Sequence, residues 1–239
     1  MTVGVYGLGR FGLFWASLLA GRFSVKVHSR TRKEMLPAEL VWAGEEEVCA
    51  CDVLFFCVSI SSFEEVLIRV KRLIKPPTAV FDTCSVKVAP TDLMVKYLDP
   101  GVEIIATHPM FGPDSGKDGV AGMPLVMHPV RAKSATADFW NKAFSEMGLR
   151  LMFMDPHEHD REAAFTQGIT HYMGRVLADL SLKPSPIATL GYRKLLEIIE
   201  QTCNDPWQLF LDIQHFNPYT KEMRHRLHAS LEKIYRIIK

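Results

Sequence analysis

Gly7-Leu8-Gly9-Arg10-Phe11-Gly12 spaces three glycines so that a backbone can wrap around an anion. The segment follows the β-prone run Val3-Gly4-Val5-Tyr6 and opens a helical pattern (Phe14, Leu18, Leu19) that closes at Gly21. In that context Gly7 permits a tight turn, Gly9 lets the backbone approach a pyrophosphate, and Gly12 lets the helix pack closely on the strand. Leu8, Arg10 and Phe11 complete the cofactor loop, and the helix N-terminus faces the phosphates. A second strand, Ser24 to His28, ends where an NAD site carries Asp or Glu for the ribose hydroxyls. Here the run is His28-Ser29-Arg30-Thr31-Arg32-Lys33. Hydroxyls and guanidinium groups at Ser29, Arg30, Thr31 and Arg32 suit a 2′-phosphate, so NADP is the expected cofactor; a solvated basic loop is the bland alternative.

His108 is a second candidate. It lies in Ala106-Thr107-His108-Pro109-Met110-Phe111-Gly112-Pro113, after a short strand and before a Pro/Gly loop. Side chains at the carboxyl ends of parallel strands face the ligand crevice, and an imidazole can take up a proton near neutral pH. Asp82-Thr83-Cys84-Ser85-Val86-Lys87 ends the preceding strand. His157-Glu158-His159-Asp160 has little metal-ligand spacing for one helix face and reads as a solvated helix start, so no metal is expected.

A sheet must position these residues. Val53 to Val58, Ala79 to Phe81, Ile104 to Ala106, Pro124 to Met127 and Leu151 to Met154 are further strand candidates. Between them Ser62 to Ile74 places Phe63, Val66, Leu67, Val70 and Leu73 on one helix face, and Ala137 to Met147 repeats the pattern. Alternating strands and helices imply an α/β fold, so residues 1–154 are expected to form a Rossmann-type doubly wound sheet that binds NADP. Beyond it, Asp155-Pro156, Asp205-Pro206 and Asn217-Pro218 each set a capping side chain before a proline, with Glu158 and Gln208 completing capping boxes. Residues 155–239 are therefore expected to be a smaller all-helical domain, with Lys183-Pro184-Ser185-Pro186 as a stiff connector.

Composition narrows the function class. Of 239 residues 48% are hydrophobic, which is enough for a substantial core and argues against disorder. A formal net charge of +1 argues against nucleic-acid binding. The longest apolar run, Val53 to Val58, falls far short of a membrane span. Five cysteines with no CxxC pair argue against a disulfide framework or zinc ribbon, and the lack of a signal-like N-terminus points to a cytoplasmic protein.

Thr107 to Lys117, the Ser85-Val86-Lys87 triplet and Thr170-His171-Tyr172-Met173-Gly174-Arg175-Val176-Leu177 resemble the prephenate/arogenate dehydrogenases of tyrosine biosynthesis, especially the plant-type arogenate enzymes. The resemblance implies NADP-dependent oxidative decarboxylation of arogenate to tyrosine, with prephenate to 4-hydroxyphenylpyruvate as a secondary activity. It implies that His108 accepts the ring-hydroxyl proton, that Ser85 supports the hydroxyl or the histidine, and that Gln167 and His171 contact substrate. Val58, Ser59 and Thr83, at carboxyl ends of strands, would line the cofactor. Asp205 resembles the acidic determinant for arogenate, whose ammonium replaces the keto group of prephenate; capping is its bland reading, and Asp114 is a second acidic candidate beside Ser115. A homodimer formed by the helical domain is also implied.

The chain departs from the family pattern where many bacterial members bind the ring carboxylate with an arginine: the corresponding place holds Glu197. Arg193, Arg175 and Lys117 are the candidates for that role. With no room for an extra regulatory domain, tyrosine feedback would act at the active site itself. The rival readings are an NADP-dependent β-hydroxyacid or ketoacid dehydrogenase, which commonly uses a helical lysine where His171 stands, and a non-catalytic NADP-binding regulator.

Overall fold

The computed structural model describes all 239 residues, in two compact units, Met1–Pro156 and His157–Lys239. The first unit runs β1 (Thr2–Tyr6), α1 (Arg10–Ala20), β2 (Ser24–His28), β3 (Leu40–Trp42), α2 (Glu45–Cys49), β4 (Val53–Phe56), α3 (Ile60–Val70), β5 (Ala79–Asp82), α4 (Val88–Tyr97), β6 (Glu103–Pro109), β7 (Pro124–Arg131), α5 (Ser134–Glu146) and β8 (Arg150–Phe153). One sheet holds all eight strands in the order β3-β2-β1-β4-β5-β6-β7-β8. The first six are parallel, β7 is antiparallel to β6, and β8 is parallel to β7. The chain moves outward from β1 to β3 and then returns to β4, so the switch in strand order lies between β1 and β4, where doubly wound sheets bind ligands.

Strand β4 shows why the sheet is covered on both faces. All four of its residues are buried, and alternation sends Val53 and Phe55 to one face, Leu54 and Phe56 to the other. Phe55 stacks on Phe81 at 4.6 Å, with Trp140 edge-on to both and Trp15 edge-on to Phe55. On the opposite face Leu54 and Phe56 join Phe63, Leu67 and Met94.

Several local expectations are corrected. β3, α2 and α4 escaped the sequence pattern: the first two have three and five residues, and Pro90 stands in the first turn of α4. α3 starts at Ile60, capped by position by Ser59, and stops at Val70, short of Ile74. β6 extends through Pro109, so His108 belongs to the strand rather than to the loop after it.

The second unit comprises α6 (Pro156–Ala163), a π-turn (Ala164–Gly168), α7 (Ile169–Asp179), α8 (Leu190–Cys203), α9 (Trp207–Phe216) and α10 (Thr220–Ile237). α7 and α8 lie antiparallel: Gly174 meets Thr202, while Tyr192 at the start of α8 donates to the carbonyl of Lys183, just past α7. A Cβ on Gly174 would stand 1.9 Å from Thr202 Oγ1, so this approach requires glycine. Proline opens α6 as expected, but the other two proline signals fail. Pro206 is itself the N-cap of α9, which leaves Asp205 outside the helix, and Gln208 donates forward to Asp212 at 2.7 Å rather than back to a cap. α10 begins at Thr220, because Asn217 Oδ1 accepts the N–H of Tyr219 in a local turn. His159 and Asp160 are buried and hydrogen-bonded to each other at 2.8 Å, which corrects the solvated reading for these two residues, while His157 and Glu158 are exposed as expected. No helix is long and apolar enough to cross a membrane.

Candidate active site

The glycine turn is shaped for a ligand at one position and for packing at the other two. Gly7 has φ +106°, and a Cβ there would meet the Cys57 carbonyl at 2.5 Å with Val58 beside it. A Cβ on Gly12 would stand 1.9 Å from the Gly7 carbonyl, so only glycine lets α1 sit this close to the turn. Gly9, the N-cap of α1, is different: a Cβ there would meet nothing within 4 Å. No side chain caps α1, and no acidic residue occupies its first turn. The N–H groups of the first turn and the open space at Gly9 therefore fit a pyrophosphate. Leu8 is buried in the core and the ring of Phe11 stacks on Trp15, so these two can offer a cofactor backbone alone. Arg10 pairs with Asp114 at 2.7 Å.

At the end of β2, His28 donates through Nδ1 to the Ala43 carbonyl at 3.1 Å, and Ser29 Oγ donates to the Thr31 carbonyl at 2.6 Å, closing a local turn. Arg30 and Thr31 are exposed beside it, and the Arg32 guanidinium lies over Trp42, 5.7 Å from the ring centre. No acidic side chain falls between His28 and Lys33.

The carboxyl ends of β4, β5 and β6 are tied together by side chains. Thr83 Oγ1 donates to the Phe56 carbonyl at 3.1 Å; Val58, two residues beyond Phe56, and Ser85, two beyond Thr83, are half-buried. The β5–β6 ladder ends at the pair Asp82–Ala106, and beyond it side chains take over. The buried Asp82 carboxylate accepts the N–H groups of Thr107 at 3.2 Å and Cys84 at 3.0 Å, while Thr107 Oγ1 donates to the Asp82 carbonyl. Lys87, itself buried, pairs with Asp82 and donates to the Thr107 carbonyl at 2.6 Å. Both backbone groups of the residue preceding His108 are thereby fixed. The sequence offered Lys87 within a triplet without signalling this role, because a lysine is rarely fully buried unless paired. His108 is 2% exposed. In the following loop, Ser115 Oγ accepts the Gly112 N–H at 3.0 Å, and Lys117 is exposed.

In the helical unit, Gln167, His171 and Arg175 recur at four-residue spacing. Gln167 Oε1, His171 Nδ1 and Arg175 Nε are buried with no hydrogen-bond partner in the protein. Such atoms are costly to leave unpaired and fit a polar ligand. The π-turn that precedes α7 helps to present them. Gln214 Nε2 donates to the Gly168 carbonyl at 2.8 Å, and Arg224 in turn donates to Gln214 Oε1 at 2.8 Å, which satisfies a carbonyl of the turn from outside the helix. Asp205 Oδ2 lies 3.9 Å from His171 Nε2. Burial, reinforced by the positive charge of Arg175, pushes the His171 imidazole down to about 4, so it is neutral at neutral pH despite that carboxylate. Arg193 is exposed on α8, nine residues before Thr202 and thus about 13 Å along the helix axis from the α7–α8 contact. It is not brought to this cluster.

Residues 26–130 match the model of the prephenate dehydrogenase nucleotide-binding domain, and residues 176–238 match that of the TYRAAT1-like C-terminal domain. Arogenate dehydrogenase 2, chloroplastic, of Arabidopsis thaliana is 34% identical over 98% of this chain and 69% of its own length. Arogenate dehydrogenase 1, chloroplastic, of the same plant is 33% identical over 98% of this chain but 38% of its own length. The fold is shared with prephenate dehydrogenase from A. aeolicus, solved with hydroxyphenyl propionate and NAD+, at a TM-score of 0.75 and 16% identity over 100% of this chain and 90% of that one. The chain belongs to the arogenate/prephenate dehydrogenase family of oxidoreductases.

Proposed function

We propose that this protein converts arogenate to tyrosine by oxidative decarboxylation with NADP+ as the oxidant, and takes prephenate as a weaker, secondary substrate. The chemistry that a bound nicotinamide supplies is acceptance of a hydride from the ring carbon bearing the hydroxyl. The turn at Gly7, Gly9 and Gly12 would hold the pyrophosphate, and Ser29, Arg30, Thr31 and Arg32 would receive the 2′-phosphate. His108 takes the hydroxyl proton as the carbonyl forms, and Ser85 hydrogen-bonds the same oxygen or the imidazole. Loss of the ring carboxylate as CO2 then aromatises the ring. Because the Asp82–Lys87 pair already fixes the backbone before His108, little reorganisation is needed at the moment of proton transfer.

The choice of arogenate rests on Asp205. Asp205 directly precedes Pro206, the N-cap of α9, and its carboxylate lies 3.9 Å from a neutral His171, on the stripe of Gln167, His171 and Arg175. A carboxylate there would pair with an ammonium and would face the keto group of prephenate with no gain, a difference of about 1.5–3 kcal/mol or roughly 10–100-fold in efficiency. The test follows reduced nicotinamide absorbance with NADP+ and either substrate, for the wild type and for Asp205→Asn. The wild type is expected to favour arogenate and the variant to lose most of that preference; equal efficiency of the wild type on both substrates would overturn the reading.

A further inference from the structure

Arg175 extends the Gln167–His171 stripe by one turn, yet its guanidinium is engaged with backbone. Nη2 donates to the carbonyls of Thr202 at 3.1 Å and Asp205 at 2.8 Å, bridging the last turn of α8 and the residue just outside α9. The guanidinium carbon lies over the rings of Trp207 at 5.0 Å and Phe210 at 5.9 Å, which fixes its plane. The side chain therefore joins three helices at the point where the Asp205 carboxylate stands 3.9 Å from His171 Nε2.

We infer that Arg175 is a positioning residue for substrate choice: by holding the Asp205 carbonyl against α7, it sets the separation of the Asp205 carboxylate from His171, and so the place where a substrate ammonium is recognised. This rests on the reading of Asp205 given above. Among the candidates for the ring carboxylate, Arg175 is the one whose terminal nitrogen already spans two carbonyls, and a planar fork suits that bridge better than a lysine does. Its charge has a second effect, since together with burial it keeps His171 neutral, and a neutral imidazole does not repel the ammonium that Asp205 attracts.

The two roles for Arg175 separate by substrate. Both substrates carry the ring carboxylate, whereas only arogenate carries the ammonium. Efficiencies on arogenate and prephenate are measured for the wild type, Asp205→Asn, Arg175→Met and the double variant, with KM for NADP+ and thermal stability alongside. In Arg175→Met, which keeps an apolar stem over Trp207 and Phe210, KM for arogenate is expected to rise about tenfold while KM for NADP+ stays within about twofold. The arogenate-to-prephenate ratio should fall about as far as in Asp205→Asn, and the double variant should fall no more than about threefold beyond either single variant, because both act on one contact. Arg175→Lys should recover part of the ratio. A loss shared equally by the two substrates, or losses that multiply in the double variant, overturns the inference. If Asp205→Asn itself leaves the ratio unchanged, the reading of Asp205 fails and the inference with it; if Asp205→Asn changes the ratio and Arg175→Met does not, the inference alone fails. Should Arg175→Met not fold, Arg175→Gln is compared in the same way, with the same outcomes deciding.

Discussion

Lys87 Nζ donates to the carbonyl oxygen of Thr107 at 2.6 Å, while pairing with the Asp82 carboxylate in a site that neither side chain shares with solvent. Removing one partner of such a pair leaves the other charge buried and uncompensated, at a cost of about 3–5 kcal/mol. Lys87→Met is therefore expected to lower the melting temperature by about 10 °C. Asp82→Asn, which removes the charge but keeps one acceptor oxygen for either the Cys84 or the Thr107 N–H, should restore part of it when combined with Lys87→Met. Thermal melts of the three variants check this; a shift below about 2 °C for Lys87→Met would show the pair to be dispensable.

Two glycines of one motif should fail in opposite ways. Gly9→Ala places its methyl in open space, so stability should hold within about 1 kcal/mol while the dissociation constant for NADP+ rises about tenfold or more. Gly12→Ala drives a methyl into the Gly7 carbonyl and must push α1 off the turn, so stability itself should drop by several kcal/mol. Calorimetric titration with NADP+ and denaturant melts separate the two; equal stability losses would refute the division.

Ser29→Asp with Arg30→Ala installs a carboxylate for the ribose hydroxyls and removes a phosphate ligand. The NADP+-to-NAD+ efficiency ratio is expected to fall at least about tenfold. If the ratio stays put, the selectivity lies in Arg32 and its stacking on Trp42 instead.

His171 makes stability depend on pH. Burial first, and then the charge of Arg175, pushes its imidazole from 6.5 down to about 4. Below pH 6.5 the unfolded chain binds a proton that the folded chain refuses. The stability contributed by the neutral ring is thus complete above that pH, and it is lost as the pH falls towards 4, where the folded form is protonated too. The full loss is about 3 kcal/mol. His171→Gln should flatten this slope in melts taken between about pH 6.5 and pH 4.5, and an unchanged slope would mean that His171 carries no such shift.

Much of the sheet was legible because its strands are continuous apolar runs: β4 and β5 are buried on both faces, and periodicity alone marks them. The turn between β1 and α1 was legible through its glycine spacing. The short elements β3 and α2 were not, since three or five residues carry no period to detect. The aspartate–proline rule succeeded at Pro156 and failed at Pro206, where the proline took the cap position and moved Asp205 out of the helix. Lys87 and Arg175 were visible as residues but not as roles, since both act on backbone carbonyls of segments 20 and 27–30 positions away.

The π-turn from Ala164 to Gly168 bears on how this site could be lost. A helix that bonds five residues back instead of four contains one residue more than its neighbours require, and the helices on either side do not register the insertion. Deleting a single residue between 164 and 168 would restore an unbroken α-helix from Pro156 to Asp179, with its packing faces intact and no substitution at His171 or Arg175. Gln167, whose buried Oε1 has no partner in the protein, and Gly168, whose carbonyl accepts from Gln214, both lie within this turn and would be placed differently by the deletion. Chain length over five residues is therefore a determinant of this surface in its own right. A relative lacking one residue here could keep every recognisable side chain and the whole fold, and still be unable to hold the same substrate.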